Sequence, residues 1–208
     1  MRWIPDALAL GVSAIERVYL EASNMDIREV QGLVGVRATG AWDASTCAAV
    51  ARGLRSAQLR PRLLRARIGR HFLLEEFTRS DTARARGLLN MPNAAQLAAL
   101  VVLVDKVLDP VRERFGPVRV TSGYREFTPA SQHGRGEAAD FEVTGVANLT
   151  VARWIRDNLP FDQLILEAWS PGEANAGWIH ASYRVGRLRR SVLRTPTGRA
   201  PYFTGLPA

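Results

Sequence analysis

Cysteine is almost missing from this chain: Cys47 is the only one in 208 residues. No intramolecular disulfide can form, and no multi-cysteine metal site exists. Between Thr46 and Ala48, Cys47 reads as a small buried residue rather than a reactive thiol. Lysine is equally scarce. Lys106 is the only one, so the net charge of +8 is almost wholly arginine. No stretch reaches the roughly 18 apolar residues of a membrane span. The segment Met1 to Leu20 carries Asp6, Glu16 and Arg17 and is broken by Pro5. It lacks the basic start, continuous apolar centre and small-residue cleavage site of an export signal. A soluble protein made in the cytoplasm, without an export address, is the expectation.

What is present is the mix of a globular protein, with 47% apolar and 23% charged residues. The length allows one ordinary domain plus a small one, with a real core. A cationic excess suits an anionic polymer, either nucleic acid or the phosphates of a cell envelope. Six arginines fall between Arg184 and Arg199, and such a run serves equally well as a solvated face. No nucleic-acid-binding motif accompanies it, so nucleic acid is not expected as a partner.

Leu8, Val12, Ile15 and Tyr19 recur at helical spacing and predict an amphipathic helix from Pro5 to Leu20. A second short helix is expected over Asp26 to Leu33, and Asp43 can cap a third through Ala49, Val50 and Leu54. An arginine-rich connector from Leu54 to Arg70 marks a domain boundary. Beyond it, Phe72 to Phe77 is a short apolar run, and Ser80 or Asp81 can start a helical turn. Asn93 caps a long helix with an inner face of Leu97, Leu100, Val104, Val107 and Val111, stopped at Phe115-Gly116-Pro117. Strands are expected at Val118–Tyr124, Ala138–Val143, Asp162–Ala168 and Trp178–Tyr183, with a helix through Trp154 and Ile155 between the second and third. This order implies an α+β domain with a largely antiparallel sheet and flanking helices.

Of the chain's three histidines, two sit in telling places. His133 lies in the loop Ser131-Gln132-His133-Gly134-Arg135-Gly136, and Asp140 lies on the strand after it. His180 lies on a strand where Trp178, His180 and Ser182 share a face. Two imidazoles and a carboxylate make a three-ligand set that holds catalytic zinc with a position open for water. Each residue alone has a plainer reading, the histidines as hydrogen-bonded structural groups and the aspartate as a turn former. Arg125, ending the run Ser122-Gly123-Tyr124-Arg125, is suited to gripping a peptide carboxylate.

These segments, Ser122 to Arg125, Ser131 to Phe141 and Trp178 to His180, resemble the D-Ala-D-Ala carboxypeptidase and L-alanyl-D-glutamate endopeptidase family. Its members include phage endolysins, and it shares its fold with the Hedgehog signalling domain. The similarity runs from about Phe72 to Leu193. It implies zinc held by His133, Asp140 and His180, a substrate-binding and transition-state-stabilising Arg125, and Ser131 lining the site. Trp178 is counted with Arg125 and Ser131 among the substrate-binding residues. Two departures stand out. Many members carry an acidic general base three positions before the last zinc histidine, and here that position is Gly177. Glu167, closing the strand Gln163 to Glu167, is the best substitute, with Glu173 the weaker one. Glu167 reads equally well as an edge carboxylate paired with an arginine. The link from Arg125 to Ser131 is also shorter than in many relatives.

The front segment has its own likeness. Val30-Gln31, Leu33 to Gly35, Thr39-Gly40-Ala41-Trp42-Asp43 and Thr46 through Val50 resemble the three-helix peptidoglycan-binding module. A helical cap packed on the rest of the chain is the alternative. The expected layout is a helical segment at 1–65, a zinc peptidase domain at 70–195 and a tail at 196–208. The expected activity is hydrolysis of peptide bonds in peptidoglycan stem peptides or cross-links by a monomer. As a phage or prophage lysin it would reach the wall by holin-type release or inside a virion. The loss of the usual base at Gly177 leaves a catalytically silent wall-binding or virion protein as the rival.

Overall fold

A computed structural model describes residues 24–173 and 176–207. The helix expected over Pro5 to Leu20 lies outside these residues. Among them, eight α-helical segments and six strands follow in order. The front holds α1 (Ile27–Leu33), α2 (Ala44–Gly53) and α3 (Arg60–Leu63). Next come α4 (Leu74–Thr78), α5 (Asp81–Ala85), α6 (Ala94–Leu103) and α7 (Asp109–Phe115), then β1 (Val118–Ser122) and β2 (Ala138–Val143). Helix α8 (Asn148–Asn158), β3 (Gln163–Glu167), β4 (Trp178–Ser182), β5 (Ser191–Thr195) and β6 (Phe203–Thr204) complete the chain.

The helix starts follow capping chemistry. Asp26 accepts from the N–H groups of Arg28 and Glu29, and Glu29 reaches back to the Asp26 N–H. Asp43 accepts from the Thr46 N–H at 2.8 Å, and Asn93 and Gln96 form a reciprocal pair. The long helix expected after Asn93 is interrupted. Pro110 has no N–H to give, and the ladder opens into one π-helical stretch at Val104–Leu108 just before it. The run Phe72 to Phe77 becomes the short helix α4, with the two rings meeting edge-on at 5.9 Å.

The strands form one sheet in the order β1-β2-β4-β3-β5-β6. Four pairings are antiparallel, in keeping with the largely antiparallel sheet expected, and one, β3 with β5, is parallel. The physical reason is topological. Strand β4 already occupies one edge of β3, so the chain must cross to the other edge, and it arrives there travelling in the same direction as β3. The stretch after Thr195, expected as a tail, returns to the sheet as β6.

Alternation divides the sheet into two faces. Ala139, Phe141, Leu164, Leu166, Ile179 and Ala181 join the helices in the core. Asp140, Gln163, Ile165, Glu167, Trp178 and His180 line a cleft on the other. The buried cluster is continuous from Val30 through Val50, Leu63, Leu100 and Phe141 to Ala181. The front helices therefore share one core with the sheet. Trp42 donates from Nε1 to the Arg67 carbonyl at 3.1 Å, and a bridge joins Met25 to Ala66. Each wholly buried phenylalanine, Phe72, Phe77, Phe141 and Phe161, contributes about 1.5–3 kcal/mol by leaving water. Cys47 is buried as expected, and burial, with help from the Asp43 charge, pushes its thiol up to about 11. Among the described residues, no helix is long and apolar enough to cross a membrane.

Candidate metal centre

Strand register brings two of the three expected ligands together. Asp140 on β2 and His180 on β4 are direct cross-strand partners, so their side chains rise from the same face. On the far side of β2, the register with β1 shifts between Val120 and Ser122. Such a bulge re-aims the strand end, and Ser122 there accepts from Arg125 Nε at 2.8 Å. His133 arrives from the loop before β2. That loop is held by Ser131, whose hydroxyl donates to the Thr128 carbonyl at 2.8 Å and accepts from the Gly134 N–H at 2.9 Å. Gln96, at the start of α6, adds a hydrogen bond to the Gly134 carbonyl. Ser131 lines the cleft, but its hydroxyl is already engaged in shaping the loop.

One ligand atom from each of His133, Asp140 and His180 lies within 4.8 Å of the others, and all three residues are buried. The surrounding hydrogen bonds fix which ring nitrogens face inward. His133 Nδ1 lies 2.7 Å from the Gly123 carbonyl oxygen. A carbonyl can only accept, so Nδ1 carries the proton and Nε2 turns inward as a lone pair. His180 Nε2 lies 3.0 Å from Gln132 Oε1. The Gln132 amide nitrogen donates to Asp162 Oδ2 and Ser182 Oγ, each at 2.9 Å, so its oxygen must face His180. His180 therefore donates from Nε2 and presents Nδ1.

Three acceptors then face one another. His133 Nε2 and His180 Nδ1 are 3.2 Å apart, and they lie 3.2 and 2.9 Å from Asp140 Oδ1. With neutral imidazoles these lone pairs repel one another, and a cation resolves the conflict. The donor set, nitrogen twice and carboxylate oxygen once, suits zinc. The outer partners, Gly123 and Gln132, are of the kind that orient metal-binding histidines. Burial alone would raise the Asp140 carboxyl. With protons on the inward nitrogens in place of a metal, hydrogen bonds and charge from His133 and His180 outweigh it and hold the group well below the usual carboxylate range.

The cleft over this centre is about 320 Å³ and is also lined by Arg125, Gln163, Glu167, Trp178 and Tyr202. Arg125 spends its guanidinium on Asp140 and Ser122. Glu167 is driven above the ordinary glutamate range, first by burial and then by the Asp140 charge. Glu173 is exposed in the following loop and does not line the cleft. The Trp178 indole N–H is buried without a hydrogen-bond partner.

The sequence model of the family Peptidase M15 matches residues 70–180, just over half the chain. The chain belongs to the Peptidase M15 family. Its M15 segment spans the three facing ligand atoms, Arg125 and Glu167, so the match and the geometry fall on the same residues. No curated protein matches the chain closely enough to count as a relative. The empty base position of this M15 peptidase has a steric explanation. Gly177 has φ +69°, and a Cβ there would stand 1.8 Å from the Glu167 carbonyl oxygen. No acidic side chain fits at 177, while Glu167, paired in register with Trp178, enters the cleft from the neighbouring strand. Two cleft residues were not anticipated as functional. Gln132 stands in the sequence only as part of a motif, and its role depends on partners 30 and 50 residues away. Tyr202 belongs to the stretch expected as a tail.

Proposed function

We propose that this M15 peptidase is a zinc enzyme that hydrolyses peptide bonds in peptidoglycan stem peptides or cross-links. The observation that carries the reading is the trio of buried inward-facing acceptors on His133, Asp140 and His180, set in a cleft that also holds Arg125 and Glu167. Zinc held by these three side chains would supply a Lewis acid, which polarises a peptide carbonyl and brings the pKa of water towards about 7. Glu167 would act as the proton shuttle, taking a proton from the attacking water and delivering it to the leaving amine. Its raised pKa suits both transfers, since a base too weak to hold the proton could not pass it on. Arg125, fixed by Asp140 and Ser122, would place positive charge beside the developing oxyanion. Trp178 would bind the peptide along the cleft wall. Ser131 would support that binding by holding the loop that carries His133.

The net charge of +8 favours an anionic wall as the working surface, and the motif likeness of the front segment points the same way. A phage or prophage lysin, reaching the wall by holin-type release or in a virion, is the setting we propose. The test is metal analysis of the purified chain together with mass spectrometry of muropeptides after digestion of purified wall. One zinc per chain and new peptide termini are the expected result. Zinc binding without any cleavage would instead establish the catalytically silent wall-binding or virion protein.

A further inference from the structure

One wall of the cleft comes from a stretch that the M15 match, ending at residue 180, does not reach. After β5 the chain turns at Thr195 and Pro196, crosses the mouth of the cleft and returns as β6. It is fastened at several points. Thr197 Oγ1 donates to the Arg199 carbonyl at 3.1 Å, and Thr195 Oγ1 donates to the same oxygen. Arg194 Nη1 donates to the carbonyls of Thr204 and Gly205, each at 2.9 Å. The Gly205 N–H bonds the Val192 carbonyl at 2.9 Å. A strap tied this way presents its side chains in fixed places, so a ligand meeting them pays little ordering entropy.

Two of its residues, Gly198 and Tyr202, line the cleft. Gly198 lies against the Trp178 indole, so close that a Cβ would stand 3.0 Å from Cη2. Tyr202 is 46% exposed, and its hydroxyl makes no hydrogen bond among the described residues. Burial, and after it the charges of Glu167 and Asp140, push its pKa up, so the phenol keeps its proton and remains a donor. Most of the other donors in this cleft are engaged, Nη1 of Arg125 excepted. The Arg125 guanidinium is bonded to Asp140 and Ser122, the Ser131 hydroxyl to Thr128, and the Gln132 amide to Asp162 and Ser182. The Tyr202 hydroxyl, on the wall beside Trp178, is left over. An extended peptide brings a row of backbone carbonyls, each of which loses water on entering and needs a donor in return.

We propose that the strap from Thr195 to Gly205 is a substrate-binding wall, and that the Tyr202 hydroxyl donates a hydrogen bond to a backbone carbonyl of the bound stem peptide. The proposal rests on the peptidoglycan-peptidase reading above and adds a recognition residue to it. The experiment is steady-state cleavage of soluble muropeptides by the full zinc-loaded chain, comparing wild type, Tyr202→Phe, Tyr202→Ala and Gly198→Ala. Tyr202→Phe removes one hydroxyl and should keep zinc content and thermal midpoint, while kcat/KM falls about three- to tenfold. The loss should appear chiefly in KM, since the bond is made to bound substrate and transition state alike. Tyr202→Ala should lose more, with the ring contact gone. Gly198→Ala leaves the tyrosine in place but forces a methyl against the indole at φ +68°, so it should raise KM in the same direction. Wild-type kinetics in Tyr202→Phe would overturn the role of Tyr202 and leave the peptidase reading standing, as would a variant that loses zinc or unfolds. A zinc-loaded wild type that cleaves no muropeptide would overturn the reading, and this inference with it.

Discussion

Two polar networks, one in the front helices and one on the sheet, differ in their chemistry. In the front helices, Gln31 Nε2 donates to Thr39 Oγ1, Ala41 O and Thr46 Oγ1 at 2.8–3.0 Å, and Oε1 accepts from the Gly40 N–H. Thr39 and Thr46 pass their own protons to Asp43. Every donor ends on an acceptor, and the network is closed. Around His133, Asp140 and His180 the outer bonds are equally complete, yet they turn three acceptors towards one point. A closed network holds a fold together. An open one, maintained by closed bonds on its outside, has been built to receive something.

The sharpest way to break that contrast is to remove the open network. A His133→Ala, His180→Ala double variant should bind no zinc and fall to the uncatalysed background on muropeptides. Its thermal midpoint should match that of metal-free wild type, because the bonds lost to Gly123 and Gln132 are few beside the hydrophobic core. Chelation of wild type should reproduce the loss, and added zinc should restore activity only there. Full zinc occupancy in the double variant would sink the site.

Next in size is the proton shuttle. Glu167→Gln should keep zinc and stability while kcat falls by a factor of about 10²–10⁴. The pH profile supplies a second check. Glu167 must be ionised to take a proton, and burial with the Asp140 charge raises its pKa. Burial therefore pushes the acid limb of wild-type kcat upward, while zinc held beside Asp140 pulls it back; activity should be lost as pH falls through that limb. That limb should vanish from the residual rate of the Gln variant.

Smaller again is the effect of the outer bonds. Gln132→Ala frees the His180 ring to turn and to change tautomer, so zinc affinity should fall about 10- to 100-fold by competition with a chelator. A cobalt-substituted sample should show an altered visible spectrum. Unchanged affinity would mean that strand register alone aims His180.

How far the sequence could reveal these features follows from their range. Alternation on β4 sets His180 on one face with Trp178 and Ser182, because a strand's period is local, whereas bringing Asp140 and Glu167 to that face takes the register of β2 and β3 with β4. Caps at Asp43 and Asn93 were equally legible, each bond spanning three residues. The parallel pairing of β5 with β3 was not, since it depends on which sheet edge remained free. Tyr202 was hidden for the same reason. Nothing near it marks a cleft, and it reaches one only because β6 pairs with β5. The vacancy at Gly177 was read as a missing base, yet its cause, the Glu167 carbonyl lying against it, is a tertiary contact.

The smallest expected effect tests the closed network. Gln31→Ala removes four hydrogen bonds and leaves the Gly40 N–H to find water or go unpaired. Unfolding by denaturant should show a loss of about 1–3 kcal/mol. Zinc content and muropeptide turnover should stay at wild-type values at a temperature where the variant is folded. The core joins the front helices to the sheet, so this point change is a cleaner probe than deleting the front segment, which would expose Phe72 and Leu100 together. The same variant tests the wall-binding likeness. If Gln31, Thr39, Gly40 and Thr46 resemble that module only because they tie a helical turn together, folded Gln31→Ala should sediment with insoluble wall as wild type does. Lost sedimentation in a folded, active variant would show that a network closed on itself also shapes a wall-binding surface, and the contrast between the two networks would fail.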